Sequence, residues 1–81
     1  MATPDQVAAV RQFAAIYGMA EKGGEDGKFK RVALEMVDSF LEQHNLPPNL
    51  EDLLDLFDIE VTLACISRGL ITIEELQANK E

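Results

Sequence analysis

Phe29, Val32, Ala33, Met36, Val37, Phe40 and Leu41 are separated by 3, 1, 3, 1, 3 and 1 positions. Such a series shares one side only in an α-helix, where about 3.6 residues complete a turn; in a strand the sides alternate every second residue. Glu35, Asp38 and Glu42, at i, i+3 and i+7, fall on the opposite side. The spacing predicts an amphipathic helix over residues 28–44. Pro47-Pro48 then forces a break, because proline donates no backbone hydrogen bond and the residue before it avoids helical backbone.

The same reasoning gives the other elements. Thr3-Pro4-Asp5-Gln6 is a helix start: Thr3 caps, Pro4 suits the first position and Gln6 completes a capping box. Val7, Val10, Phe13, Ala14 and Tyr17 continue at helical spacing, so a first helix is predicted over 4–21, ended by Gly23-Gly24. Asp26 is a candidate cap for the second helix. Asn49 caps a third, whose apolar positions are Leu50, Leu53, Leu54 and Phe57, with Glu51, Asp52 and Asp55 near its positive end.

Beyond Phe57 the periodicity blurs, because Ile59, Val61, Leu63, Ala64, Cys65 and Ile66 cover nearly every side. Two helices are expected here, with Asp58 capping a fourth over 59–68. An all-round apolar helix belongs in a core, so this fourth helix is expected to be central and Leu63→Asp to unfold the protein. Gly69 is expected to stop it in the left-handed conformation, with Leu70 folding back. Thr72 to Glu75 repeats the capping box and starts a short fifth helix over 73–79. The expectation is one all-α domain spanning 1–81, a compact bundle or orthogonal array of four to five short helices.

Charge narrows the function. Between Arg31 and Arg68 there is no lysine or arginine, while eight carboxylates occur, Glu35, Asp38, Glu42, Glu51, Asp52, Asp55, Asp58 and Glu60. The net charge is −8 over 81 residues. A surface so one-sided attracts basic partners and repels nucleic acid and anionic membrane. The basic cluster Lys28, Lys30 and Arg31 is too small to reverse that, and reads as a solvated face or as a source of internal ion pairs. No apolar run approaches the roughly 20 residues that span a bilayer. The amino-terminal residues Met-Ala-Thr-Pro-Asp lack a secretory pattern, so the cytoplasm is the expected compartment. The single cysteine, Cys65, lies in an apolar run and reads as a small buried hydrophobe.

No catalytic, cofactor or metal signature is present in the sequence. The Gly24-to-Gly27 loop lacks the ligand ladder of a calcium hand. One cysteine and one histidine, His44, cannot close a tetrahedral zinc site within one chain. Gly23 to Lys28 is one residue short of a phosphate loop and carries Glu25 and Asp26 where phosphate would sit. Ser39 and His44 are five residues apart and point to different helix faces, so no nucleophile has a base. Carboxylate pairs such as Asp52 and Asp55 lie on a solvated face rather than in a cleft.

Leu50-x-x-Leu53-Leu54-x-Leu56-Phe57-x-Ile59, followed by Ile66-x-Arg68-Gly69-Leu70-Ile71, resembles the helix-turn-helix segment of small bacterial and phage DNA-binding proteins. The resemblance implies a packing helix, a tight turn and a helix that reads the major groove. Phe57 stands where that family usually has a small residue. The helix that would read DNA offers Glu60, Thr62, Ser67 and one cation, so backbone neutralisation is missing.

The sequence therefore points to a non-enzymatic protein-protein interaction module with a basic, nucleic-acid-handling protein as partner and no direct contact with nucleic acid or membrane. Its expected contact residues are Glu35, Asp38, Glu42, Glu51, Asp52, Asp55 and Asp58. Small phage- or bacterium-encoded inhibitors and adaptors that mimic nucleic acid offer an analogy. The alternatives are a degenerate helix-turn-helix in a transcription-linked domain over 50–71, and a homo-oligomeric assembly protein. In the latter, a homodimer would bury apolar surface left over on the fourth helix, Phe29, Phe40, Leu50 and Leu56.

Overall fold

Tyr17, Phe13, Phe57 and Phe40 form a chain of edge-to-face rings that ties three helices together, with centroid separations of 5.6, 5.9 and 5.0 Å. The structure, a computed structural model, describes residues 2–17 and 28–78. They form α1 (Pro4–Ile16), α2 (Lys28–Leu41), α3 (Leu50–Ser67) and the short α4 (Ile73–Ala78), with no strand among them. Each of the first three helices packs on the other two. The radius of gyration is 12.6 Å, close to the roughly 12 Å of a well-packed chain of this length.

The all-α class holds, but the described residues form three principal helices and one short one. The predicted division of residues 49–68 is corrected: α3 runs unbroken from Leu50 to Ser67. Asp58, expected as a cap, sits in mid-helix. The reason is the row Leu53, Phe57, Val61 and Cys65, all at 0–1% exposure. Its four-residue spacing is the ridge by which helices most often pack, and it carries the helix straight through the expected break. The helix-turn-helix resemblance needs a turn before the helix at residues 60–68, and α3 passes through that position unbroken. Leu63 is corrected as well: it is 58% exposed, so α3 is not central on all sides. Phe29 and Phe40, expected among the surplus apolar groups, are core residues. Leu50 is exposed and Leu56 half-buried.

The start of α1 is as predicted. Thr3 Oγ1 accepts from the Gln6 amide, and Gln6 Oε1 accepts from the Thr3 amide. Gln6 also does something its motif does not announce. Its side-chain Nε2 donates to the Pro47 carbonyl at 2.8 Å, tying the helix start to the diproline linker and making Gln6 a buried, bonded polar group. The end of α1 comes earlier than predicted. Tyr17 is extended (ψ 133°), which turns its ring into the core, where its hydroxyl bonds Thr62 Oγ1 on α3 at 3.1 Å. The predicted segment 18–21, the Gly23-Gly24 stop and the Asp26 cap lie outside the described residues. α2 ends at Leu41 rather than 44, its last turn tightening through a bond from the Gln43 amide to the Phe40 carbonyl.

Asn49 caps α3 as expected, its Oδ1 accepting from the amides of Glu51 and Asp52. Past Ser67 the Gly69 amide donates to Ile66 and the Leu70 amide to Cys65, the paired bonds of a Schellman stop. Gly69 has φ +76°, and a Cβ placed there would meet nothing within 4 Å. Any cost of Gly69→Ala is therefore conformational. The expected loss is about 1 kcal/mol, read as a lower urea midpoint with an unchanged slope. The cap predicted from Thr72 to Glu75 involves a side chain outside the described residues, and α4 ends at Ala78 rather than 79.

Candidate interaction surface

Glu35, Asp38 and Glu42 are all exposed, on the side of α2 away from Val32, Ala33, Val37 and Phe40. Two of the three already have cations. Arg68, just past the end of α3, donates from Nη1 to Glu35 Oε1 at 3.1 Å. Arg11 on α1 brings Nη2 to 3.9 Å from Asp38 Oδ1. Both pairs are solvent-exposed, so each contributes about 0–1 kcal/mol. Their geometric consequence is larger than their energy, since the acidic side of α2 is partly matched by α1 and α3. Among the described residues, the cations that reach it are these two arginines and not the Lys30 and Arg31 of the basic cluster.

The acids of α3 fall into a different situation. Glu51, Asp52 and Asp55 are exposed on its first two turns, and Asp58 is half-buried. Glu51 and Asp52 lie beside the amides that Asn49 caps, where negative charge is favoured by the helix dipole. Among the described residues no cation pairs with Glu51, Asp52 or Asp55. Glu35 and Asp38 are thus partly neutralised across helices, whereas among the described residues Glu51, Asp52 and Asp55 are not.

Ile59 and Leu63, 56% and 58% exposed, sit one and two turns beyond those α3 acids on the outward face. The sequence pointed to surplus apolar surface on residues 59–68 and Leu56 but did not separate this face from the buried one. The signal was present, since Leu56, Ile59, Leu63 and Ile66 recur at 3, 4 and 3 positions. It was hidden by the inward row Leu53, Phe57, Val61 and Cys65, which interleaves with it and makes the helix look apolar on every side.

Cys65 is buried at 1% exposure. His44 is exposed and, with Thr3, Asp5, Gln6, Leu46, Pro48 and Leu50, lines a surface recess of about 320 Å³. Every buried side-chain nitrogen and oxygen among the described residues has a hydrogen-bond partner. Among the described residues no group of three or more histidine, cysteine, aspartate or glutamate side chains is placed to hold a metal ion, and no helix is long and apolar enough to cross a membrane. No protein family, curated protein or solved structure matches the chain.

Proposed function

We propose that this protein is a non-enzymatic interaction module whose acidic helices engage a basic protein surface, most simply that of a protein that itself handles nucleic acid. The observation that carries this reading is the exposed set Glu51, Asp52 and Asp55, clustered at one helix end with no internal cation among the described residues. Unlike Glu35 and Asp38, these carboxylates have no visible structural task across helices. Charge of one sign on a small domain steers encounter with the opposite sign and makes the contact sensitive to salt.

The test is capture of partners from native lysate by the tagged protein at low and at high salt, beside the variant Glu51→Lys/Asp52→Lys/Asp55→Lys. A basic partner should be retained at low salt, released at high salt and not retained by the variant. Recovery of the protein alone, or of a partner indifferent to salt, would overturn the acidic reading. A homo-oligomer is the second reading, favoured by exposed Ile59 and Leu63. Sedimentation of the purified protein separates it from the first.

A further inference from the structure

We propose that the outward face of α3 is a short coiled-coil seam that receives a cationic amphipathic helix of another protein; this rests on the acidic reading above and gives it a docking geometry. Asp52, Leu56, Ile59, Leu63 and Ile66 follow one another at intervals of 4, 3, 4 and 3, the repeat that keeps a stripe facing a partner helix. At about 100° per residue these positions fall within an arc of about 80°, facing away from the buried row. Ile59 and Leu63 are the two most exposed apolar residues of the helix, and Leu56 and Ile66 are half-buried at the edge of the core. The seam is about 21 Å long, two heptads.

The charges beside the seam choose the occupant. Its flanking positions hold Asp55, Glu60, Thr62 and Ser67, and its first position is Asp52. A second copy fits poorly. In a parallel pair, Asp55 of one α3 meets Glu60 of the other, a like-charge contact at the positions that set partner choice. In an antiparallel pair centred on Val61 each flank meets its own kind, so Glu60 faces Glu60 of the other copy and Asp55 faces Thr62, and no ion pair forms. Arg68, the nearest cation in sequence, is held on α2 by Glu35 at 3.1 Å. Both copies also carry a net charge of −8. A helix with leucine or isoleucine on its seam and lysine or arginine beside it satisfies the apolar stripe and the acids together.

The probe is a synthetic peptide of about three heptads with leucine and isoleucine on the seam and lysine at the flanking positions; a control peptide carries glutamate there. The lysine peptide should bind the intact protein and shift backbone amide resonances mainly within residues 52–66. It should lose at least about tenfold in affinity between low and high salt, and a similar factor with Ile59→Asp/Leu63→Asp, whose helicity should match the parent. The glutamate peptide should not bind. Failure of the lysine peptide to bind, or equal binding of both peptides, would overturn the seam. A stable dimer of the protein alone that the double variant dissociates would assign the face to a second copy instead. Resonance shifts centred on Glu35, Asp38 and Glu42, unaffected by the double variant, would remove the seam while leaving the acidic reading standing.

Discussion

Phe57→Ala should bring the domain close to unfolding. Phe57 is completely buried, and its ring meets Phe13 edge-on from α1 and Phe40 edge-on from α2. Truncation removes a ring that touches aromatic rings on both other helices. Phenylalanine-to-alanine changes in cores cost about 3–5 kcal/mol, and each edge-to-face pair adds about 0.5–1.5 kcal/mol beyond area burial. A chain of this length has only about 4–12 kcal/mol of total stability. The substitution therefore consumes a large share of it and should lower the melting temperature by at least about 12 °C. Urea unfolding followed by far-ultraviolet circular dichroism measures this directly. Phe57→Leu, which keeps most of the volume, should cost less than half as much. A loss below about 1 kcal/mol for Phe57→Ala would mean that α3 is rotated away from its partners, since losses that small are those of surface positions, which usually stay within about 0.5 kcal/mol.

The parts of this fold that were legible in the sequence are those where one residue type has one physical role. The α2 stripe could face only one way, and its apolar residues Phe29, Val32, Ala33, Val37, Phe40 and Leu41 are buried in a single cluster. The Thr3 and Asn49 caps and the Gly69 stop were readable for the same reason: each supplies a hydrogen-bond acceptor or a positive φ that neighbouring residues cannot. α3 was misread because hydrophobicity has no sign for direction. Two interleaved apolar rows, one inward and one outward, give the same pattern as one helix buried all round, and a blurred period suggested a break at Asp58 that the backbone does not make. The contact from Gln6 to Pro47 spans 41 positions, and the pairings Arg11 with Asp38 and Arg68 with Glu35 join different elements. Local spacing carries no information about such contacts. Pairing is what separates Glu35 and Asp38, which have cations, from Glu51, Asp52 and Asp55, which have none among the described residues, so the candidate surface became visible only in three dimensions.

Val61→Asp and Leu63→Asp should behave in opposite ways, although they stand two residues apart and make nearly the same chemical change. Two steps along a helix rotate the side chain by about 200°. Val61 is at 0% exposure within the row that packs on α1 and α2, while Leu63 is 58% exposed. A carboxylate at 61 must be either desolvated or protonated in an apolar site, at a cost of several kcal/mol. Val61→Asp should therefore lose cooperative unfolding and native helicity at neutral pH. Leu63→Asp should stay within about 0.5 kcal/mol of the parent, with the same helicity and a sharp transition. Both variants add one negative charge to a protein that already carries −8, so long-range self-repulsion is matched and only burial differs. Thermal and urea unfolding of the pair settles which face of α3 is inside. If Leu63→Asp unfolded the protein, α3 would be buried on both sides, and the outward seam would have to be abandoned together with any partner helix docked on it. If both variants held, Val61 would not be core, and the aromatic cluster built around Phe57 one turn earlier would lose its support. Tolerance at 63 together with collapse at 61 is the outcome that a two-faced helix requires, with one apolar row holding the fold and the other left for a partner.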